Sequence, residues 1–151
     1  MLISFRKSFS KRTKKKENKK MMELTINGQV YHFNFGMGFL REMNKKLAIP
    51  EEGIKGKNKE VGLRYAVAGI MDGDLEQLEE VLDTANKGQD PRVTKKLLDD
   101  YIEDENTDID RLFDEVLDFL EKTNATKNTV KNIRRDIARA EQMETAKNAE
   151  K

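Results

Sequence analysis

The stretch MELTINGQVYHFNF, residues 22–35, decides how the chain is read. Met22, Leu24 and Ile26 alternate with Glu23 and Thr25, and Tyr31, Phe33 and Phe35 alternate with Val30, His32 and Asn34. Between the two runs stands Asn27-Gly28. A two-residue type I′ turn needs positive φ at both central positions, which Asn-Gly supplies, so the pattern predicts a β-hairpin. With that loop length Ile26 faces Gln29 and Leu24 faces Tyr31. Met22, Leu24, Ile26, Tyr31, Phe33 and Phe35 then share one apolar face. A lone two-stranded hairpin is marginal in water. Helices of the same chain, or another subunit, are therefore expected to cover it. His32 falls on the polar face as an exposed strand residue. Without cysteines or nearby carboxylates it makes a poor metal ligand.

Downstream the period changes from two to about 3.6. A short helix is predicted over 39–46, with Phe39, Leu40 and Met43 inward, then a Gly- and charge-rich loop over 50–59. A helix over 60–71 carries Val61, Val67, Ile70 and Met71. Asp74, with Gln77 three residues on, reads as a capping-box-like start for a helix to about Asn86. Its apolar stripe holds Leu75, Leu78, Val81, Leu82 and Ala85, and Gly88 lies just past its end. Asp90-Pro91 reads as a cap followed by proline at the first helical position, opening a helix that buries Val93, Leu97, Leu98, Tyr101 and Ile102. Another helix follows Thr107-Asp108 with Ile109, Leu112, Phe113, Val116, Leu117, Phe119 and Leu120. From Thr126 a last helix carries a thin seam of Val130, Ile133, Ile137 and Ala140, with Met143 at its margin. Residues 144–151 are expected to fray. The fold class is α+β, mostly α, with an N-terminal hairpin and five or six helices.

Length and composition bound the rest. The 151 residues suit one domain. Charged residues make up 38% and hydrophobic ones 36%, a small core under a polar shell, which a helix-rich domain tolerates best. There is no cysteine, so disulfides and thiol chemistry are excluded. No apolar run approaches the roughly 18 residues of a membrane span, and residues 1–9 are too broken by charge for a signal-peptide core. The chain reads as soluble and intracellular.

The net charge of +1 hides an asymmetry. Residues 1–20 hold nine Lys/Arg and one acid, while residues 74–121 hold 17 acids and five bases. Residues 122–151 turn basic again, with eight bases against four acids. Three segments are therefore expected: a basic arm over 1–20, a hairpin plus acidic helical domain over 21–122, and a basic amphipathic helix with its tail over 123–151. The arm has three readings. It is a grip for nucleic acid or anionic membrane, a disordered tail, or the translated purine-rich leader of a gene whose true start is Met21 or Met22. The hairpin needs nothing upstream, which favours the last. A chain beginning at either methionine is expected to match the full chain in stability and activity.

Residues 104–115 (DENTDIDRLFDE) imitate an EF-hand loop, with oxygen ligands at positions 1, 3, 5, 7 and 12. However, Ile109 replaces the turn glycine, Arg111 takes the aliphatic position 8, and no second loop exists. The alternative is a helix connection whose acids favour the next helix N-terminus. Catalytic signatures are missing: no Walker loop, no G-x-S-x-G, no Cys-His pair and no H-E-x-x-H. The acidic block would repel phosphate, which leaves proteins with basic surfaces as the fitting partners.

Residues 22–46, MELTINGQVYHFNFGMGFLREMNKK, resemble the opening of the tail assembly chaperones of long-tailed phages and prophages of Gram-positive bacteria. The likeness lies in a short strand, an Asn-Gly turn, an aromatic strand ending in Phe35-Gly36 and a Phe-Leu-Arg-Glu-Met helix, and extends over about residues 22–122. The resemblance implies a non-enzymatic protein without cofactors that coats the tape measure protein and recruits tail tube subunits. It further implies work in the host bacterial cytoplasm and absence from the mature virion. Many such proteins also have a frameshifted longer form, for which Lys147-Asn148 marks a conceivable A-rich site. Self-association is expected, since a small domain must cover a long rod. The expected partner-binding residues are Tyr31, Phe33 and Phe35 on the hairpin and Val130, Ile133, Ile137 and Ala140 on the last helix. The competing reading is a small regulatory nucleic-acid-binding protein that uses the arm and the last helix.

Overall fold

The computed structural model describes residues 21–149, so the basic arm lies outside the described residues. Strands β1 (Met22–Ile26) and β2 (Gln29–Phe33) pair antiparallel, with Met22 opposite Phe33, Leu24 opposite Tyr31 and Ile26 opposite Gln29. Asn27 and Gly28 take φ of 53° and 78°, the left-handed turn that their side chains permit. Met22, Leu24, Ile26, Phe33 and Phe35 are buried, and Tyr31 is half-buried at the rim. The apolar face is covered from within the chain. Phe35 meets Phe39 edge to face at 5.1 Å and Phe119 at 6.1 Å.

Helix α1 (Met37–Lys45) starts two residues earlier than expected and buries Phe39 and Met43. The expected loop over 50–59 is flanked by two short strands, β3 (Ala48–Pro50) and β4 (Asn58–Glu60), which pair antiparallel. Every residue of both strands is exposed. With no buried face there was no alternation to read, and the pairing rests on backbone hydrogen bonds alone. Helix α2 (Gly62–Met71) buries Leu63, Ala66, Val67 and Ile70. A Cβ on Gly62 would overlap the Met43 carbonyl oxygen. Glycine thus lets α2 meet α1 backbone to backbone, and Asn44 Oδ1 accepts the Leu63 amide at 3.1 Å.

Helix α3 (Leu75–Ala85) is capped by Asp74, whose carboxylate accepts the amides of Glu76 and Gln77. It buries Leu78, Val81, Leu82 and Ala85. Leu75, expected on that stripe, is 46% exposed. The next helix does not begin at Asp90-Pro91. That bond is cis and lies in a turn, and α4 (Lys95–Glu103) starts at Thr94, whose hydroxyl accepts the Leu97 amide at 3.1 Å. Buried Asn86 holds the turn. Its amide donates to the His32 carbonyl at 2.8 Å, and its oxygen accepts the Val93 amide at 2.6 Å. With the Asn34 amide on the Ala85 carbonyl at 2.8 Å, this fastens β2 to the end of α3.

Helix α5 (Ile109–Lys122) is capped by Asp108 and buries Leu112, Val116 and Leu120. Thr126, fully buried, donates its hydroxyl to the Leu120 carbonyl at 2.6 Å and turns the chain into α6 (Lys127–Ala149). Helix α6 continues through Ala149, past the point where fraying was expected. No described helix is long and apolar enough to cross a membrane.

Candidate partner-binding surface

The hairpin and α6 carry the expected partner-binding residues, and the structure divides them by burial. Phe33 and Phe35 are 0% and 1% exposed, and Val130 and Ile133 are 2% and 4% exposed. In this fold these four build the core and offer no surface to a partner. Their alternation and helical spacing marked an apolar face correctly. What it could not mark is that α1, α3 and α5 close the hairpin, and that α2 and α5 close the first two turns of α6. Tyr31 keeps part of its ring accessible. Ile137 is 45% exposed, and Ala140 is exposed with every residue after it up to Ala149.

The distal part of α6 therefore projects from the body. Arg134 pairs with Glu121 of α5, and Asp136 accepts from Arg64 of α2 at 2.5 Å. Both pairs are half exposed to water, so they direct the helix more than they stabilise it. Below Ile137 lies a cleft of about 400 Å³ against α2, lined by Tyr65, Ala68, Gly69, Met71 and Asp72. Tyr65 is 56% exposed. Sequence reasoning missed it, since a tyrosine off the buried stripe of a helix carries no periodic signal.

A second, larger groove of about 980 Å³ runs along α5. Met37 and Phe119 form its apolar part, and Asp114, Glu115 and Asp118 supply carboxylates beside Arg111 and Lys122. Lys122 is engaged by Asp118 at 2.9 Å.

Titratable groups elsewhere serve the packing. Burial first, then a hydrogen bond shared with Asp99, pushes the Glu79 carboxyl up to about 7. The Lys95 ammonium, 2.6 Å from Glu80, holds that neighbouring carboxyl below its usual range. His32 Nε2 lies 3.1 Å from Glu23 Oε1 across the hairpin, so the histidine has the carboxylate neighbour that sequence reading denied it. In the calcium-like stretch, Asp104 accepts the Asn106 amide at 2.9 Å and Asp108 caps α5. These carboxylates serve the backbone, as in the helix-connection reading. No metal-sized group of three acidic or histidine side chains occurs among the described residues.

The hairpin, the glycine-mediated α1–α2 contact and the acidic helices fall within one match to a known family. The sequence profile described as phage tail assembly chaperone protein, TAC, matches residues 23–135. The chain belongs to the phage tail assembly chaperone family. No curated protein and no solved structure matches it. The chaperone match ends at Arg135, two residues beyond Ile133, the last buried residue of α6.

Proposed function

We propose that this tail assembly chaperone binds the tape measure protein without catalysing a reaction, and holds it soluble while tube subunits are recruited. The observation that carries the reading is an apolar seam left uncovered in a protein of this family: Ile137 beside Tyr65 and the α2 cleft, with exposed Ala140 three residues further along the projecting helix. A long amphipathic rod with an exposed apolar stripe aggregates unless that stripe is covered. A cleft between a helix and a projecting helix accepts such a stripe in the helix-in-groove manner. The acidic helices α4 and α5 then face solvent and keep the assembly dispersed. Work in the host cytoplasm and absence from the finished particle accompany this role.

Co-expression of the full chain with the tape measure protein of the same phage tests it. The expected result is soluble tape measure that co-purifies with the chaperone, and loss of at least about tenfold of the captured protein in Ile137→Asp. A tape measure that stays insoluble, with nothing co-purifying, removes the reading.

A further inference from the structure

We propose that the N-terminus of α1, where it meets the end of α3, is a binding site for a single oxyanion, a carboxylate or a phosphate group. The first amides of a helix have no acceptor inside it. In α2, α3, α4 and α5 a side chain takes at least one of them: Asn44, Asp74, Thr94 and Asp108 in turn. Helix α1 is left without one. Its cap is Gly36, which has no side chain to offer, and its first turn holds no acid. The amides of Met37, Gly38 and Phe39 have no acceptor among the described residues. They present their donors together with the positive end of the helix dipole, the arrangement that oxyanions occupy.

A second group at the same place lacks its partner. Thr84, in the last turn of α3, is 2% exposed and lines a cleft of about 360 Å³ together with Gly36, Met37, Gly38 and Phe39. Its hydroxyl is the one buried side-chain polar atom of the described residues without a hydrogen bond. A threonine at helical spacing commonly returns its hydroxyl to the carbonyl four residues back, as Thr123 and Thr145 do at 2.6 and 2.9 Å. Thr84 does not. A buried hydroxyl left unpaired is unfavourable, and an anionic oxygen in the cleft would accept from it.

The surrounding charges suit an anion. Arg41, Lys87 and Glu42 also line the cleft, two cations against one carboxylate. Glu42 lies 3.6 Å from Lys87 and 3.8 Å from Lys45, which offsets its charge. The carbonyls of Thr84 and Ala85 do not oppose an anion either, since the amides of Lys87 and Asn34 donate to them at 3.2 and 2.8 Å. A Cβ on Gly38 would meet nothing within 4 Å, so the space before the amides is open. None of these residues lines the α2 cleft beside Ile137, and the site is separate from the tape measure surface proposed above.

Titration of the isotopically labelled full chain with inorganic phosphate and, separately, with acetate tests the site by NMR, with ionic strength held constant by chloride. The expected result is a saturable shift of the Met37, Gly38 and Phe39 amides with at least one of the two anions. The tighter of the two names the source, a phosphate group or a carboxylate. Thr84→Val removes the hydroxyl at nearly constant volume and should weaken binding at least about tenfold, the loss of one hydrogen bond to a charged group. Gly38→Asp, at an exposed position, supplies the helix start with a carboxylate of its own. It should abolish the titration and raise the melting midpoint in buffer without phosphate or acetate. Unchanged circular dichroism verifies both folds, and Gly38→Asp decides alone should Thr84→Val not fold. Three results would overturn the proposal: amides that move with neither anion, a shift that chloride reproduces, or a folded variant of either kind that binds like the parent.

Discussion

Helix α6 holds two regimes in one continuous rod. Over its first two turns Val130 and Ile133 are closed between α2 and α5, while from Arg134 onward every described residue is exposed. Both regions continue the same spacing of apolar residues. The difference therefore lies in what packs against the helix. Burial of an aliphatic side chain contributes about 1.5–3 kcal/mol, so the first region belongs to folding. The second gains much less of that, since Ile137 is 45% exposed and every residue after it is exposed.

The strongest way to break this contrast is to truncate one isoleucine from each region. Ile133→Ala should lower the unfolding free energy by about 2–4 kcal/mol through lost burial and a residual cavity. Ile137→Ala should change it by no more than about 0.5 kcal/mol. Urea denaturation followed by circular dichroism measures both, and equal losses would show that the distal helix is packed after all.

A smaller effect sharpens the contrast through charge. The body holds Glu79 partly buried beside Asp99, which raises its carboxyl from 4.5 to about 7. A raised folded value favours the protonated form. Its contribution is therefore fully present below about pH 4.5 and lost as pH rises through 7. Solvent screening of this rim position limits the effect to about 1 kcal/mol. Glu79→Gln keeps the hydrogen bond without the charge. It should stabilise the chain at pH 8 and leave it nearly unchanged at pH 4.5, as thermal melts at both values would register.

The smallest effect concerns the foot of the projecting helix. Asp136→Ala removes the half-exposed pair with Arg64 and should cost less than about 1 kcal/mol. A larger loss in the same denaturation assay would mean that the ion pair anchors the helix.

Legibility followed the range of the interactions. The hairpin, its turn and its register were readable because Asn27-Gly28 and the period of two act over a dozen residues. The cap at Asp74 and the helix start after Asp108 were readable for the same reason. Asp90-Pro91 misled, since a cap and a proline signal a helix start only when no distant group holds the turn. Here Asn86, reaching both β2 and Val93, does. The β3–β4 hairpin gave no signal because none of its side chains is buried. The expected site residues divided in the same manner, with Ile137 and Ala140 left at the surface and Phe33, Phe35, Val130 and Ile133 enclosed.

By itself the sequence determined the first hairpin with its register and most of the apolar stripe of each helix, because backbone preferences and periodicity are local. Only the tertiary structure decided which of those faces became core and which stayed open. That depends on how far each neighbouring helix extends. Helix α2 stops at Met71, Ile137 is the last α6 residue to line its cleft, and the helix continues alone to Ala149.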